Sequence, residues 1–303
     1  MDIQSIAKDI AHTHSPLQIG EPTPLLQLLN EAPASEDKVY LAAWLGARML
    51  GFVQADADCI AHAWQAQSSR TQSFNLMDWP CDLQDFPMGS VHASQSFPSC
   101  PQSLGLYAVV PDAKWIARMV ELGVPTVQLR FKSEDKQAIE REVQSAVNLV
   151  RNSNTRLFIN DHWKQAIESG AYGVHLGQED MQEAPLEQIR QAGLRLGLSS
   201  HGYAEMLKAH AVQPSYLALG AVFPTTLKRM ATAPQGLARL AMYAKLMKKQ
   251  SLVAIGGIDL NALPAVMATG VGSVAFVRAI VAAQDTRQAV SQLMQCMSVH
   301  APE

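Results

Sequence analysis

Four cations and two carboxylates mark the second half of the chain. Arg130, Lys132, Lys228 and Arg278 recur with Asp161 and Asp180, each beside the end of a short apolar run. Such a set suits a Mg2+–polyphosphate site. A hard divalent ion takes carboxylate and phosphate oxygens, and arginine and lysine neutralise the remaining charge. The same places carry Gln128 in Gln128-Leu-Arg130-Phe-Lys132, Asn160 before Asp161, His175 in His175-Leu-Gly177-Gln178-Glu179-Asp180, and Ser199 in Ser199-Ser200-His201. Thr225 and Thr226 precede Lys228 in Pro224-Thr225-Thr226-Leu227-Lys228, and Gly256-Gly257 lets backbone N–H groups approach a second anion, a monophosphate. No Ser/His/Asp or Cys/His arrangement accompanies them. Each residue also has a plainer reading: Arg130 paired with Asp161 as a rim salt bridge, Gly256-Gly257 as a tight turn, His175 as a hydrogen-bonded core histidine, and the methionines as packing. Their shared location favours the joint reading.

These residues need a scaffold that gathers strand ends. From Leu104 onward, short apolar runs alternate with amphipathic segments such as 134–151 and 261–269. The strand candidates are 104–110, 126–130, 156–160, 172–177, 195–199, 216–221, 252–257 and 273–278. Eight β-then-α units in about 200 residues fit an α/β protein with a (β/α)8 TIM barrel, whose functional residues gather at the C-terminal strand ends. Alternation points Gln128 and Arg130 inward and leaves Lys132 just past the rim. Gly256-Gly257 ends strand 7, Arg278 ends strand 8, and Asp112 after strand 1 reads as a helix N-cap.

The 303 residues carry a net charge of −3, with 48% hydrophobic and 17% charged residues. The charge is uneven: residues 1–103 hold 4 Lys and Arg against 11 Asp and Glu, and the remainder holds 20 against 16. The barrel, 104–303, is thus preceded by an acidic N-terminal region. Residues 1–67 form a mainly helical N-terminal extension, with one helix starting near an N-cap at Ser35 and turning Val39, Ala42, Leu45, Met49 and Leu50 to one side, and another over 56–67. Residues 68–103 form a Ser/Pro-rich linker, which Trp79 and Phe86 can pin to a neighbouring surface. Without a Lys/Arg run, nucleic acid is excluded as a partner. No apolar stretch reaches bilayer length, and the N-terminus lacks a signal pattern, so the expectation is no membrane and a cytoplasmic protein. Cys59, Cys81, Cys100 and Cys296 have no CxxC spacing, which argues against a zinc site and for reduced thiols.

Six motifs, from Gln128-Leu-Arg130-x-Lys132 through Phe158-Ile-Asn160-Asp161, Gly173-Val-His175-Leu-Gly177-Gln178-Glu179-Asp180, Gly197-Leu-Ser199-x-His201 and Phe223-Pro-Thr225-x-x-Lys228 to Ala254-Ile-Gly256-Gly257-Ile258, resemble those of the thiamine phosphate synthase family in kind and order. The resemblance implies joining of hydroxymethylpyrimidine diphosphate to hydroxyethylthiazole phosphate, giving thiamine phosphate and pyrophosphate by a dissociative, Mg2+-assisted transfer of a non-methyl alkyl group. It assigns Mg2+ to Asp161 and Asp180. It assigns the diphosphate to Arg130, Lys132, Asn160 and Lys228 with Ser199 close by, the pyrimidine to Gln128, and the thiazole phosphate to Thr225, Gly257 and the backbone near strand 8; Thr226, Gly256 and Arg278 join the substrate-binding set from their own places at the strand ends. Roles for His175 and His201 stay open. Members of the family commonly form homodimers. Leu227 stands where a second threonine is common, Arg278 where serine is common, and Phe131 where an acidic residue is common. Residues 1–103 lie outside the resemblance and read as a pyrimidine-kinase remnant or an accessory segment, too short for a whole kinase. Two other readings are a thiazole tautomerase-like barrel using His201 without metal, and a phosphate-ligand binding or regulatory protein without catalysis.

Overall fold

The computed structural model describes residues 2–87, 96–225 and 232–300. Four helices come first: α1 (Ile3–Thr13), α2 (Leu25–Glu31), α3 (Lys38–Met49) and α4 (Gln54–Thr71). Asp2 caps α1 by accepting from the backbone N–H groups of Gln4 and Ser5. Asp37, not Ser35, caps α3. It accepts from the N–H of Tyr40 at 2.9 Å, while the Ser35 hydroxyl oxygen accepts from the N–H of Asp37. Nor does α3 present a single apolar side: Tyr40, Ala42, Ala43, Trp44, Leu45, Gly46 and Ala47 are all buried, because the helix lies between its neighbours. Gly46 permits that closeness, since a Cβ there would sit 2.7 Å from Cγ2 of Ile10 on α1.

The barrel then follows in strict alternation. Its strands are β1 (Gly105–Val110), β2 (Thr126–Leu129), β3 (Arg156–Asn160), β4 (Gly173–Leu176), β5 (Arg195–Ser200), β6 (Tyr216–Leu219), β7 (Leu252–Ile255) and β8 (Ser273–Phe276). Every neighbouring pair is parallel, and β8 closes onto β1. The helices between and after them are α5 (Ala113–Glu121), α6 (Lys136–Val150), α7 (Trp163–Ser169), α8 (Gln178–Glu183), α9 (Leu186–Gln191), α10 (Tyr203–Ala211), α11 (Gly236–Leu246), α12 (Leu263–Met267), α13 (Arg278–Val281) and α14 (Thr286–Val299). Asp112 caps α5, accepting from Trp115 N–H at 2.9 Å. Three expected strand ends move by two residues: β6 stops at Leu219, before Gly220, β7 stops at Ile255, before the glycine pair, and β8 stops at Phe276, so Arg278 opens α13. No described helix is long and apolar enough to cross a membrane.

Inside the barrel, Tyr107, Val109, Phe158, Tyr216, Ala218, Val253 and Ala275 form a compact core. Their aromatic rings occupy space that glycines on facing strands leave open. A Cβ on Gly173 would lie 2.5 Å from the Phe158 ring, and one on Gly197 would lie 2.1 Å from the Tyr216 ring. Outside the sheet, a second core runs without interruption from α1 through Trp44, Trp64, Trp79 and Phe86 to the barrel helices. Trp79 donates its indole N–H to Tyr203 on α10, and Phe86 stacks on the same tyrosine.

His14 closes this seam. Its ring packs against Trp64 and Trp79, and Nε2 lies 2.9 Å from the Leu76 carbonyl. Burial pushes its pKa below the ordinary 6.5, with the Leu76 contact and Asp78 pulling partly back. The folded protein therefore disfavours the charged form that the unfolded chain takes up. The associated stability is present above the unfolded value and is lost as pH falls through the folded one. His210, half-buried near α10's end, is lowered for the same reason. We expect the thermal midpoint to fall on acidification below about pH 6.5, the ordinary imidazole value. His14→Asn should flatten that fall, as scanning calorimetry at pH 5.5 and 7.5 would show; an unchanged slope would contradict the assignment.

Candidate active site

Alternation along the strands turns Gln128, Asn160, His175 and Ser199 to the barrel interior, in line with Phe158, Gly173 and Gly197. Gln128, Asn160 and His175 are buried, and Ser199 is half-buried at the rim. Gln128, His175 and Ser199 belong to one hydrogen-bonded chain. The Gln128 amide donates to the Tyr107 hydroxyl at 3.0 Å, Tyr107 and Tyr216 share a bond of 2.7 Å, Tyr216 reaches His175 Nδ1 at 2.8 Å, and His175 Nε2 reaches Ser199 Oγ at 2.9 Å. One assignment gives each proton an acceptor. Tyr107 donates to Tyr216, Tyr216 to Nδ1, and the Nε2–H of His175 to Ser199 Oγ, which leaves the Ser199 proton for an acceptor in the rim. Burial pushes both phenols far above their ordinary pKa, so they stay protonated donors.

Ser199 and His175 thus have nucleophile–base spacing, which linear sequence does not display. Nδ1 meets a phenol instead of a carboxylate, however, so the pair lacks the carboxylate that orients a general-base histidine. His175 is the hydrogen-bonded core histidine of the plainer reading. Tyr107 and Tyr216 are the residues sequence reasoning missed. Their signal was a buried phenol on an apolar strand, which needs a polar partner.

The charged groups sit just above. Lys132 Nζ pairs with Asp161 Oδ2 at 2.5 Å, so Asp161 takes Lys132 as its partner and not Arg130. Arg130 follows β2, with its N–H bound to the Val110 carbonyl. Asp161 has φ of 62°, a left-handed conformation that aspartate tolerates better than most residues. Its N–H donates to the His175 carbonyl, and its carbonyl accepts from Trp163 N–H, which starts α7. His162 Nε2 meets the Phe131 carbonyl at 2.9 Å, tying the β2 and β3 loops together. Asp180 lies exposed on the first turn of α8, with Oδ2 accepting from Gly177 N–H. Gln178, two residues before it, donates to the Ser199 carbonyl and joins the β4 loop to β5.

Across the rim, Gly256 and Gly257 have φ of 105° and 66°. A Cβ on Gly256 would meet Ala221 Cβ at 2.5 Å, and one on Gly257 the Pro224 carbonyl at 2.6 Å. Glycine is required twice over, by dihedral and by the close passage of the loop after β6. That loop carries Thr225, half-buried beside the glycines. Thr226 and Lys228 lie outside the described residues. Arg278 is exposed at the start of α13. His201, after β5, has Nδ1 2.6 Å from Glu205 Oε2, which also accepts the His201 backbone N–H.

Comparison with known proteins agrees with this geometry. The family model for thiamine monophosphate synthase matches residues 106–280. A thiamine-phosphate synthase of Salmonella choleraesuis is 52% identical over 203 residues, 67% of this chain and 96% of that one. One from Neisseria meningitidis serogroup B is 54% identical over 195 residues, 64% of this chain and 95% of that one. Among solved structures, the thiamine phosphate pyrophosphorylase of Pyrococcus furiosus superposes with a TM-score of 0.59 at 28% identity, covering 65% of this chain and 96% of that one. A barrel with these rim residues, matched over more than half its chain, belongs to the thiamine monophosphate synthase family.

Proposed function

We propose that the chain works as a thiamine-phosphate synthase, a transferase that joins hydroxymethylpyrimidine diphosphate to hydroxyethylthiazole phosphate and releases pyrophosphate. The observation that carries the reading is the stacking of a charged rim, Lys132 with Asp161 and Asp180 nearby in sequence order around the barrel, directly over the buried chain that ends in Ser199.

The donor set fits Mg2+. Among the described residues no group of three or more His, Cys, Asp and Glu forms an all-protein cage. Mg2+ needs none, since it takes one or two carboxylates and completes its shell with phosphate oxygens and water. Asp161 and Asp180 would hold it, and when bound it supplies charge neutralisation on the diphosphate. Arg130 and Lys132 neutralise the leaving pyrophosphate further, and the Ser199 hydroxyl donates to one of its oxygens. Lys228 and Asn160 join them in this reading. Gln128 holds the pyrimidine from below. Gly256, Gly257, Thr225, Thr226 and Arg278 take the monophosphate of the thiazole, whose ring nitrogen forms the new C–N bond to the pyrimidine's methylene carbon after the C–O bond to pyrophosphate has broken. Positioning of the two reactants does the remaining work. We assign the active form to a homodimer in the cytoplasm.

The test is coupled detection of pyrophosphate. Release should require both substrates and Mg2+ together and stop when either substrate is left out. Metal-independent conversion of a thiazole carboxylate tautomer would instead establish the tautomerase reading, and tight binding of both ligands without release would establish a regulatory protein.

A further inference from the structure

The extension reaches the active site through one carboxylate. Helix α10 begins directly after Ser199-Ser200-His201, and its N-cap position is Gly202, which has no side chain to offer. Asp56, on the first turn of α4, fills that role from outside the barrel: its Oδ1 accepts from Ala204 N–H at 2.8 Å. The approach is so close that a Cβ on Gly202 would sit 2.1 Å from Asp56 Oδ2. Asp56 is itself only 5% exposed. Glu205 supplies the other half of the cap, bonding back to His201 N–H and facing its ring. The first turn of α10, and with it the exit of β5, is therefore held by one carboxylate from the barrel and one from the extension.

A second anchor lies alongside. Arg239 on α11, 3% exposed, donates to the carbonyls of Leu17 and Leu50 and stacks 3.5 Å over the Phe52 ring. Its third contact is Gln235 Oε1, and the Gln235 N–H returns to the Ala221 carbonyl in the loop beside Gly256. The relatives bear on this. A match of 203 residues uses 96% of the Salmonella chain yet only 67% of this one, so that relative has no counterpart for the extension.

We propose that Asp56 is a positioning residue of the active site: by capping α10 it fixes the backbone of Ser199–His201 against which the diphosphate is bound. The inference rests on the diphosphate reading of that rim. It makes the extension part of the catalytic architecture without contact to substrate.

The test uses the full chain with Asp56→Ala, Asp56→Asn and, as control, Asp58→Ala. Asp58 accepts from Tyr40 and Trp44 inside the extension and has no hydrogen bond to α10. Asp56→Ala should raise KM for the pyrimidine diphosphate or lower kcat by about tenfold, the scale of a sub-ångström misplacement, with KM for the thiazole phosphate little changed. Deuterium exchange over 201–207 should quicken in the same variant. Asp56→Asn, which keeps an acceptor oxygen, should recover most of both effects. Asp58→Ala should lower the melting temperature with kinetic constants intact at 20 °C or so below it. Wild-type kinetics and exchange in Asp56→Ala, or equal effects from Asp58→Ala, would overturn the proposal. Should the wild type release no pyrophosphate, the diphosphate reading fails on its own. Inorganic pyrophosphate protection of 199–207, lost in Asp56→Ala and kept in Asp58→Ala, then still decides the positioning role; its absence from the wild type, or persistence in Asp56→Ala, counts against it.

Discussion

Replacing Asp161 and Asp180 together with asparagine is expected to lower kcat/KM for pyrophosphate release by on the order of 10³-fold or more. Asparagine is the better probe than alanine, because position 161 holds φ of 62° and asparagine accepts that conformation. The fold should survive. Asp161 pairs with Lys132, whose side chain is 56% exposed, and an ion pair so open to water contributes about 0–1 kcal/mol. The loss is therefore expected in turnover and in the Mg2+ concentration that supports it, with the melting temperature almost unmoved. Steady-state rates across a Mg2+ series, beside a thermal melt, separate the two. Undiminished turnover in the double variant would sink the metal assignment.

The largest stability effect is expected at Phe158. The ring is fully buried and lies edge-on to Tyr107, Tyr172 and Tyr216 or tilted against them, within 6 Å of each. Phe158→Ala should cost about 3–5 kcal/mol, because Gly173, where a Cβ would sit 2.5 Å from the ring, has no side chain to move into the void. Tyr216→Phe is the informative contrast. It keeps the ring and removes the hydroxyl that links Tyr107 to His175, so its cost should be about 1–3 kcal/mol for the two hydrogen bonds lost inside the barrel. Urea midpoints at constant slope give both numbers. A Phe158→Ala variant as stable as wild type would mean that the barrel interior collapses freely.

The barrel was legible because its signal is local. Each strand is a short run buried on both faces, and all eight runs sit within two residues of their expected places. Boundaries slipped where a glycine or a helix start followed the apolar run, as at Ile255 and Phe276. The rim residues could be gathered for the same reason: a parallel barrel brings every strand end to one side, so order along the chain predicts neighbourhood. Partners within the rim are another matter. That Asp161 chooses Lys132, or that Ser199 meets His175, depends on loop paths and on register between distant strands, which no spacing encodes. The extension was least legible. Its α3 is apolar all round, a pattern that marks burial without naming the neighbours, and the linker's Trp79 and Phe86 find their surface on α10, more than a hundred residues later.

The paired fit of Asp56 into Gly202 and of Arg239 onto Phe52 has a bearing on modular exchange. A barrel borrowed from a shorter relative could accept this extension only if it already offered a glycine at the first position and a long, flat cation at the second. The extension in turn could not be handed to another barrel as a passive tag. The two segments are matched as a key is to a lock, and recombination between this lineage and its shorter kin should succeed or fail at those two positions before any catalytic residue is involved.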